Sequence, residues 1–320
     1  MVIIAFLRLI RLPILLLVAA IQAATRWFII KPMIEINGFD FIMTDFQFWL
    51  LVLSSVFIGA GGYAINDYFD VKIDRINKPK TIIVGRLIKR RVAMATHIVA
   101  TGLGILTSAY LCYSLGMWEL TSLFVLAAFL LWIYSTNLQN TILVGNIVIA
   151  LIAGFAPLIV GLFEIPLQNA AHPDVIRDLG YSPFNGPAFW IMGYSAVLFI
   201  LTLAREITKD VIDVRGDKYY EAQTIPVVLG VTKTKGIIML VYMLFGALIS
   251  YFYFSVANVH TGMSSIFLVL CVIIVTQMGL IFKSRTKKHF LYSANLNVIA
   301  TMLIVLSMYL LQISIHQHFS

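Results

Sequence analysis

Of the 15 acidic residues in this 320-residue chain, six fall in two short groups: Asp67, Asp70 and Asp74, then Asp210, Asp213 and Asp217. Each group reads D-x-x-D-x-x-x-D. On a helix, positions i, i+3 and i+7 share one face, so each group presents its carboxylates as a stripe. Carboxylates that close repel and raise one another's pKa unless a cation lies between them. Asn66 adds a neutral oxygen ahead of the first group. An oxygen donor set without His or Cys suits Mg²⁺, which keeps some of its waters and is commonly shared with phosphate oxygens. Two such stripes facing each other would hold a diphosphate through bridging Mg²⁺. Lys72, Arg75, Lys78, Arg205, Lys209, Arg215 and Lys218 are interleaved with them, and some could contact phosphate directly. Charged loops are common, and either group alone would signify little; the repetition at identical spacing carries the argument.

The elements that must position these groups follow from composition. The chain is 60% hydrophobic and only 12% charged, with a mean hydropathy of +0.93. A soluble domain is nearer about 45–50% apolar and roughly a quarter charged, so the solvent that accepts this excess is lipid. A soluble enzyme, a disordered chain and a nucleic-acid binder are excluded. Stretches of about 20 apolar residues mark membrane-spanning helices, and the sequence predicts nine of them, near 8–30, 46–66, 92–112, 117–133, 141–163, 187–207, 235–256, 263–282 and 291–313. The N-terminal segment lacks a signal cleavage site before Arg26 and reads as a retained first helix. The whole chain, 1–320, reads as one all-α domain.

The net charge of +8 tests this count. Arg8 and Arg11, with the basic residues of 67–91, 205–236 and 283–290, make up 20 of the 23 Lys and Arg. Counting spans places all of them on one face, which the positive-inside rule assigns to the cytoplasm. Both aspartate groups and the N-terminus then lie on that side, in a cell inner membrane. The connection 164–186 reads as a polar outer loop without chemistry, with His172 solvated. Cys112 and Cys271 lie in apolar stretches and read as small buried residues, neither a disulfide pair nor metal ligands.

A diphosphate held at the mouth of a lipid-embedded bundle implies a substrate with a long apolar tail, such as an isoprenyl diphosphate. Its allylic C–O bond ionises when Mg²⁺ and basic residues stabilise the leaving diphosphate and an apolar cavity keeps water from the cation. The competing readings are a secondary transporter, for which the charges would lie near mid-bilayer on broken helices, and a noncatalytic lipid-binding protein, which would tolerate loss of a motif aspartate.

The run Gly61-Gly62-Tyr63-Ala64-Ile65-Asn66-Asp67-Tyr68-Phe69-Asp70-Val71-Lys72-Ile73-Asp74-Arg75-Ile76-Asn77-Lys78-Pro79 resembles the first motif of the UbiA superfamily of intramembrane prenyltransferases. Arg205 to Asp217, trailed by Thr224-Ile225-Pro226, resembles its second. The resemblance implies nine helices around a central cavity, a cytoplasmic cap of helical loops carrying the motifs, and Mg²⁺-dependent transfer of a prenyl group to a lipophilic acceptor among membrane lipids. By motif position, Asn66, Asp67, Asp70, Asp74, Asp210, Asp213 and Asp217 hold Mg²⁺. Of these, Asp70, Asp74, Asp213 and Asp217 are the catalytic set, and Asp67 supports them. Arg11, Lys72, Tyr134, Arg205 and Lys209 are the candidate substrate contacts. The wording D-R-I-N-K-P is most similar to the branch that includes digeranylgeranylglyceryl phosphate synthase and chlorophyll synthase, which implies geranylgeranylglyceryl phosphate as acceptor; a quinone precursor or another ring is the alternative. Val71 stands where branches using hydroxybenzoate often carry Arg. Gln139-Asn140 stands where relatives often carry a basic pair, which bears on the acceptor more than on the diphosphate.

Small residues before the first motif, including Ser54, Gly59, Gly61 and Gly62, read as a helix-packing surface, and His97 as a bond to a neighbouring helix. Glu119 reads as interfacial.

Overall fold

The first span does not run straight through from residue 8. In the computed structural model, which describes residues 2–255 and 261–319, helix α1 (Val2–Leu9) stops short of Arg11, whose φ is 50°, and α2 (Leu12–Ala24) starts immediately after it. Pro13 explains the restart: it has no N–H to donate, which a helix tolerates in its first turn and not in its interior. A π turn over Thr25–Ile30 then leads into α3 (Lys31–Glu35).

The remaining helices follow in order: α4 (Asp45–Phe69), α5 (Val71–Asn77), α6 (Arg90–Ser114), α7 (Thr121–Thr136), α8 (Val144–Ala171), α9 (Pro173–Leu179), α10 (Gly186–Tyr219), α11 (Ile225–Val228), α12 (Val231–Ser255), α13 (Thr261–Lys283) and α14 (Lys287–Phe319). Nine helical stretches among the described residues are long and apolar enough to cross a membrane. The all-α class and the number of spans are those the sequence predicts. Residues 256–260, which hold the end of the seventh predicted span and most of the connection after it, lie outside the described residues, as do Met1 and Ser320.

One segment differs from its expectation. The predicted outer loop at 164–186 is largely helical: α8 continues to Ala171 with Pro157 and Pro166 inside it, and α9 follows. Glu164 and Gln168 are buried instead of solvated, because the chain at 40–42 supplies their partners. Ile42 N donates to Glu164 Oε1 at 2.9 Å, and Gln168 Nε2 donates to the Asp40 carbonyl at 2.7 Å. His172 is likewise half-buried, with its ring 4.7 Å from Phe39 and 5.4 Å from Phe184, where apolar contact replaces water.

The chain divides into two compact units. The first comprises the chain up to Ala19, Phe46–Ile149 and Glu206–Ile237. In it, α4 packs closely against α6 and α7 through glycines. A Cβ on Gly61 would collide with Thr101 Oγ1 of α6, and one on Gly62 would lie 2.7 Å from Leu131 Cδ1 of α7. On α6 the counterpart is Gly104, where a Cβ would lie 2.7 Å from Ile58 Cγ1. His97 Nδ1 lies 3.0 Å from the Gly61 carbonyl, and Ser54 Oγ donates to Thr107 Oγ1 at 2.9 Å. The small residues therefore serve close helix approach, as the sequence suggests. Beneath the first aspartate group, Ala5, Leu9, Ala64, Val71, Val84, Ile88 and Ala93 form a buried apolar cluster.

The second unit comprises Ala20–Asp45, Ala150–Arg205 and Ile238 onward. Polar side chains join its helices where apolar matching alone would leave them free to slide. Gln277 Nε2 of α13 donates to Asn297 Oδ1 of α14 at 2.7 Å, and Asn297 Nδ2 donates to Tyr242 Oη of α12 at 3.1 Å. Arg26, in the π turn, is buried over the Phe41 ring and donates to the Met43 carbonyl at 2.7 Å and to Asp45 at 3.0 Å. Both cysteines are free; Cys112 is buried, and Cys271 is only half-buried.

Candidate active site

All seven candidate metal ligands lie in the first unit, on α4, α5 and α10 and at Asp70 between α4 and α5. The two aspartate groups use different backbones. Asp210, Asp213 and Asp217 ride one uninterrupted helix, α10. In the first group Asp70 is the joint between α4 and α5, with ψ of −3°, yet helical bonding persists across it: Asp70 N donates to Asn66 O at 3.0 Å and Asp74 N to Asp70 O at 2.8 Å. The stripe expected of a continuous helix thus survives a turn at its middle carboxylate.

Lys78 brings the groups together. Its Nζ lies 3.3 Å from Asp74 Oδ1 and 3.5 Å from Asp213 Oδ2, so one ammonium spans both motifs. A side chain of the first motif meets the backbone of the second beside it: Gly216 N donates to Asn77 Oδ1 at 2.9 Å, and a Cβ on Gly216 would lie 2.5 Å from Asn77 Nδ2. The glycine of the second motif is where the asparagine of the first motif docks.

Each remaining carboxylate has its own holder. Arg11 Nη2 donates to Asp67 Oδ1 at 3.3 Å and to Asn66 Oδ1 at 3.5 Å, with its guanidinium 4.6 Å from the centre of the Tyr63 ring. The break before α2 is what aims Arg11 at α4. Gln139 Nε2 donates to Asp70 Oδ1 at 2.8 Å, and Gln139 Oε1 accepts from Asn66 Nδ2 at 2.8 Å. Asn146 Nδ2 donates to Asp210 Oδ2 at 2.9 Å, and Thr224 Oγ1 to Asp217 Oδ2 at 3.1 Å. Burial pushes the Asp70 carboxyl up to about 6, and the neighbouring Asp74 adds to that; Lys209, Gln139 and Lys78 act the other way.

Among the candidate substrate contacts, Lys209 pairs with the buried Glu206 at 3.4 Å and interacts with Tyr134 and Asp213, so these sit at the same site as Arg11. Lys72 does not join them: it is exposed on α5 and makes no ion pair with either aspartate group among the described residues. Arg205 belongs to the second unit. Gln139, Asn146, Asn77 and Glu206 hold the motifs in place; Asn77 and Glu206 lie within the motifs and Gln139 stands out against relatives, but none is among the predicted site residues, and Asn146 carries no signal in the sequence. Lys78 was visible as an interleaved cation, and its i+4 spacing from Asp74 was the available signal.

Among the described residues no three carboxylates converge on one point as a ready chelate. The donor set fits Mg²⁺ nonetheless. It is all oxygen, and Mg²⁺ is ordinarily held by one or two carboxylates together with substrate phosphates and waters, without a complete protein cage.

Comparison with known proteins gives the family and the fold. The model of the UbiA prenyltransferase family matches residues 37–311. The digeranylgeranylglyceryl phosphate synthase of Pyrococcus horikoshii is 31% identical over 198 residues, covering 60% of each chain. That of Sulfurisphaera tokodaii is 35% identical over 200 residues, 61% of this chain and 63% of its own. The chain therefore spans about three fifths of the length of the curated relatives it matches. Among solved structures, a UbiA homolog from Aeropyrum pernix K1 superposes with a TM-score of 0.60 at 17% identity, covering 91% of this chain and 98% of that one. A UbiA homolog from Archaeoglobus fulgidus bound to GPP and Mg²⁺ gives 0.60 at 16% identity, covering 95% and 99%. At those identities the structures share the fold. With the family model matching residues 37–311, most of the sequence, the chain belongs to the UbiA prenyltransferase family.

Proposed function

We propose that this protein transfers a prenyl group from an isoprenyl diphosphate to a lipophilic acceptor in the membrane, with Mg²⁺ as cofactor. What carries the reading is Lys78, whose single ammonium lies within 3.5 Å of an aspartate from each motif, so that both motifs serve one anionic ligand site. Asn66, Asp67, Asp70, Asp74, Asp210, Asp213 and Asp217 are the residues that would hold the metal, and Mg²⁺ bound there would draw charge from the leaving diphosphate. Arg11, Lys78 and Lys209 supply fixed positive charge beside it, and Tyr134 offers a hydroxyl and a ring to the substrate. The allylic C1–O bond breaks with its electron pair passing to the diphosphate; the acceptor oxygen bonds to C1 and gives up its proton.

The acceptor we favour is geranylgeranylglyceryl phosphate, on the D-R-I-N-K-P wording and on the names of the relatives above. The whole of 1–320 acts as one prenyltransferase domain, its short helices α5 and α11 belonging to a cap that covers the site on the cytoplasmic side of an inner membrane. The concentration of 20 of 23 basic residues in the connections on that side supports the orientation. The test is the purified protein with Mg²⁺, geranylgeranyl diphosphate and a panel of acceptors, products read by mass spectrometry. Mg²⁺-dependent diphosphate release is expected, vanishing in Asp70→Ala and in Asp213→Ala. Activity that survives both substitutions removes the two-motif mechanism.

A further inference from the structure

The turn between α7 and α8 reaches both aspartate groups with side chains that carry no charge. Gln139 accepts from Asn66 and donates to Asp70, each at 2.8 Å. In the first turn of α8, the buried Asn146 donates to Asp210 at 2.9 Å. Between them the backbone is over-determined. A Cβ on Gly145 would lie 2.6 Å from the Leu138 carbonyl oxygen, so the turn closes onto α8 as only glycine permits. Leu143 is held at φ 62°, a left-handed conformation that a residue with a side chain keeps only where its surroundings enforce it. The same turn is tied to the segment after the second motif, where Gln223 N donates to the Asn140 carbonyl at 2.8 Å.

An amide fixes a carboxylate oxygen by hydrogen bonding and leaves its charge in place; a lysine at the same position would fix it and cancel the charge. We propose that Gln139 and Asn146 are positioning residues, a neutral amide brace that orients one carboxylate of each aspartate group while preserving the negative charge that Mg²⁺ and a diphosphate must share. The inference rests on the site reading above. It adds that positive charge at this site comes from Arg11, Lys78, Lys209 and the metal, with none supplied by the α7–α8 turn.

The test uses the full-length protein in detergent with Mn²⁺ as a paramagnetic substitute for Mg²⁺ and inorganic pyrophosphate, bound Mn²⁺ being counted by electron paramagnetic resonance beside a thermal unfolding curve. Gln139→Met keeps the side chain's shape and removes both of its hydrogen bonds. It should weaken Mn²⁺ binding in the presence of pyrophosphate by on the order of 10–100-fold, the usual effect of deleting a group that orients a metal ligand. Asn146→Leu should act in the same direction. Gln139→Lys keeps a donor to Asp70 and adds a charge, so it should weaken binding at least as much as Gln139→Met; should Gln139→Met fail to fold, Gln139→Lys decides alone. Wild-type affinity in the Gln139 variants, or tighter binding in Gln139→Lys, overturns the brace while leaving the site reading intact. Absence of Mn²⁺ and pyrophosphate binding in the wild-type protein overturns both.

Discussion

Lys78 links the two motifs through contacts of 3.3 and 3.5 Å, yet its side chain is 37% exposed. Ion pairs that accessible contribute about 0–1 kcal/mol to folding, so the charge matters for ligand binding more than for stability. Lys78→Met should leave the thermal midpoint nearly unchanged and raise the KM for the prenyl diphosphate about tenfold, equivalent to ~1.4 kcal/mol. Steady-state kinetics together with thermal unfolding separates the cases: an unchanged KM with a lowered midpoint would make Lys78 a structural residue only. At this scale the sequence exposes the carboxylates, because acidic residues are scarce in so apolar a chain and their spacing repeats. It does not show which carboxylate each amide would hold. Gln139 and Asn146 are ordinary amides, and their importance comes from reaching Asp70 and Asp210 across gaps of 69 and 64 residues.

The close approach of α4 to α6 is set by where glycine faces a neighbour. Gly61 and Gly102 are both helical and both in spans, but a Cβ at Gly61 would collide with Thr101 and lie 3.2 Å from the His97 carbonyl, whereas one at Gly102 would meet nothing within 4 Å. Gly61→Ala should therefore destabilise the protein by about 1–3 kcal/mol through overpacking, lowering the unfolding temperature and reducing turnover because α4 carries Asn66 and Asp67. Gly102→Ala should be neutral or stabilise by up to about 1 kcal/mol, since alanine is the better helix former. Equal behaviour of the two variants would contradict the packing described. Helix existence was legible from apolar run length, but helix irregularities were not. Pro13 gives a local sign of the break at Arg11, but what Arg11 then meets, the π turn at Thr25–Ile30 and the extension of α8 to Ala171 each involve a partner outside the local window: Asp67 for Arg11, Met43 and Asp45 for Arg26, and the chain at 40–42 for Glu164 and Gln168.

For the molecule as a whole, the asymmetry of charge predicts a sidedness that labelling can read. Single cysteines at the exposed positions Lys72 and Arg177, in a chain with Cys112 and Cys271 replaced by Ser, should react with a membrane-impermeant maleimide from opposite sides: Lys72→Cys from the cytoplasm and Arg177→Cys from outside. Labelling of both from one side would break the nine-span parity. The sequence by itself determined the solvent, the number of spans and the two carboxylate groups, because hydropathy and charge act through local composition and need no knowledge of what packs against what. Only the tertiary structure decided that Lys78 spans both motifs, that Asn77 docks on Gly216, that Arg11 turns toward α4 and that neutral amides hold Asp70 and Asp210. Those contacts join residues far apart in the chain, and a helix in lipid can pack its neighbours in many registers until glycine contacts and buried hydrogen bonds select one.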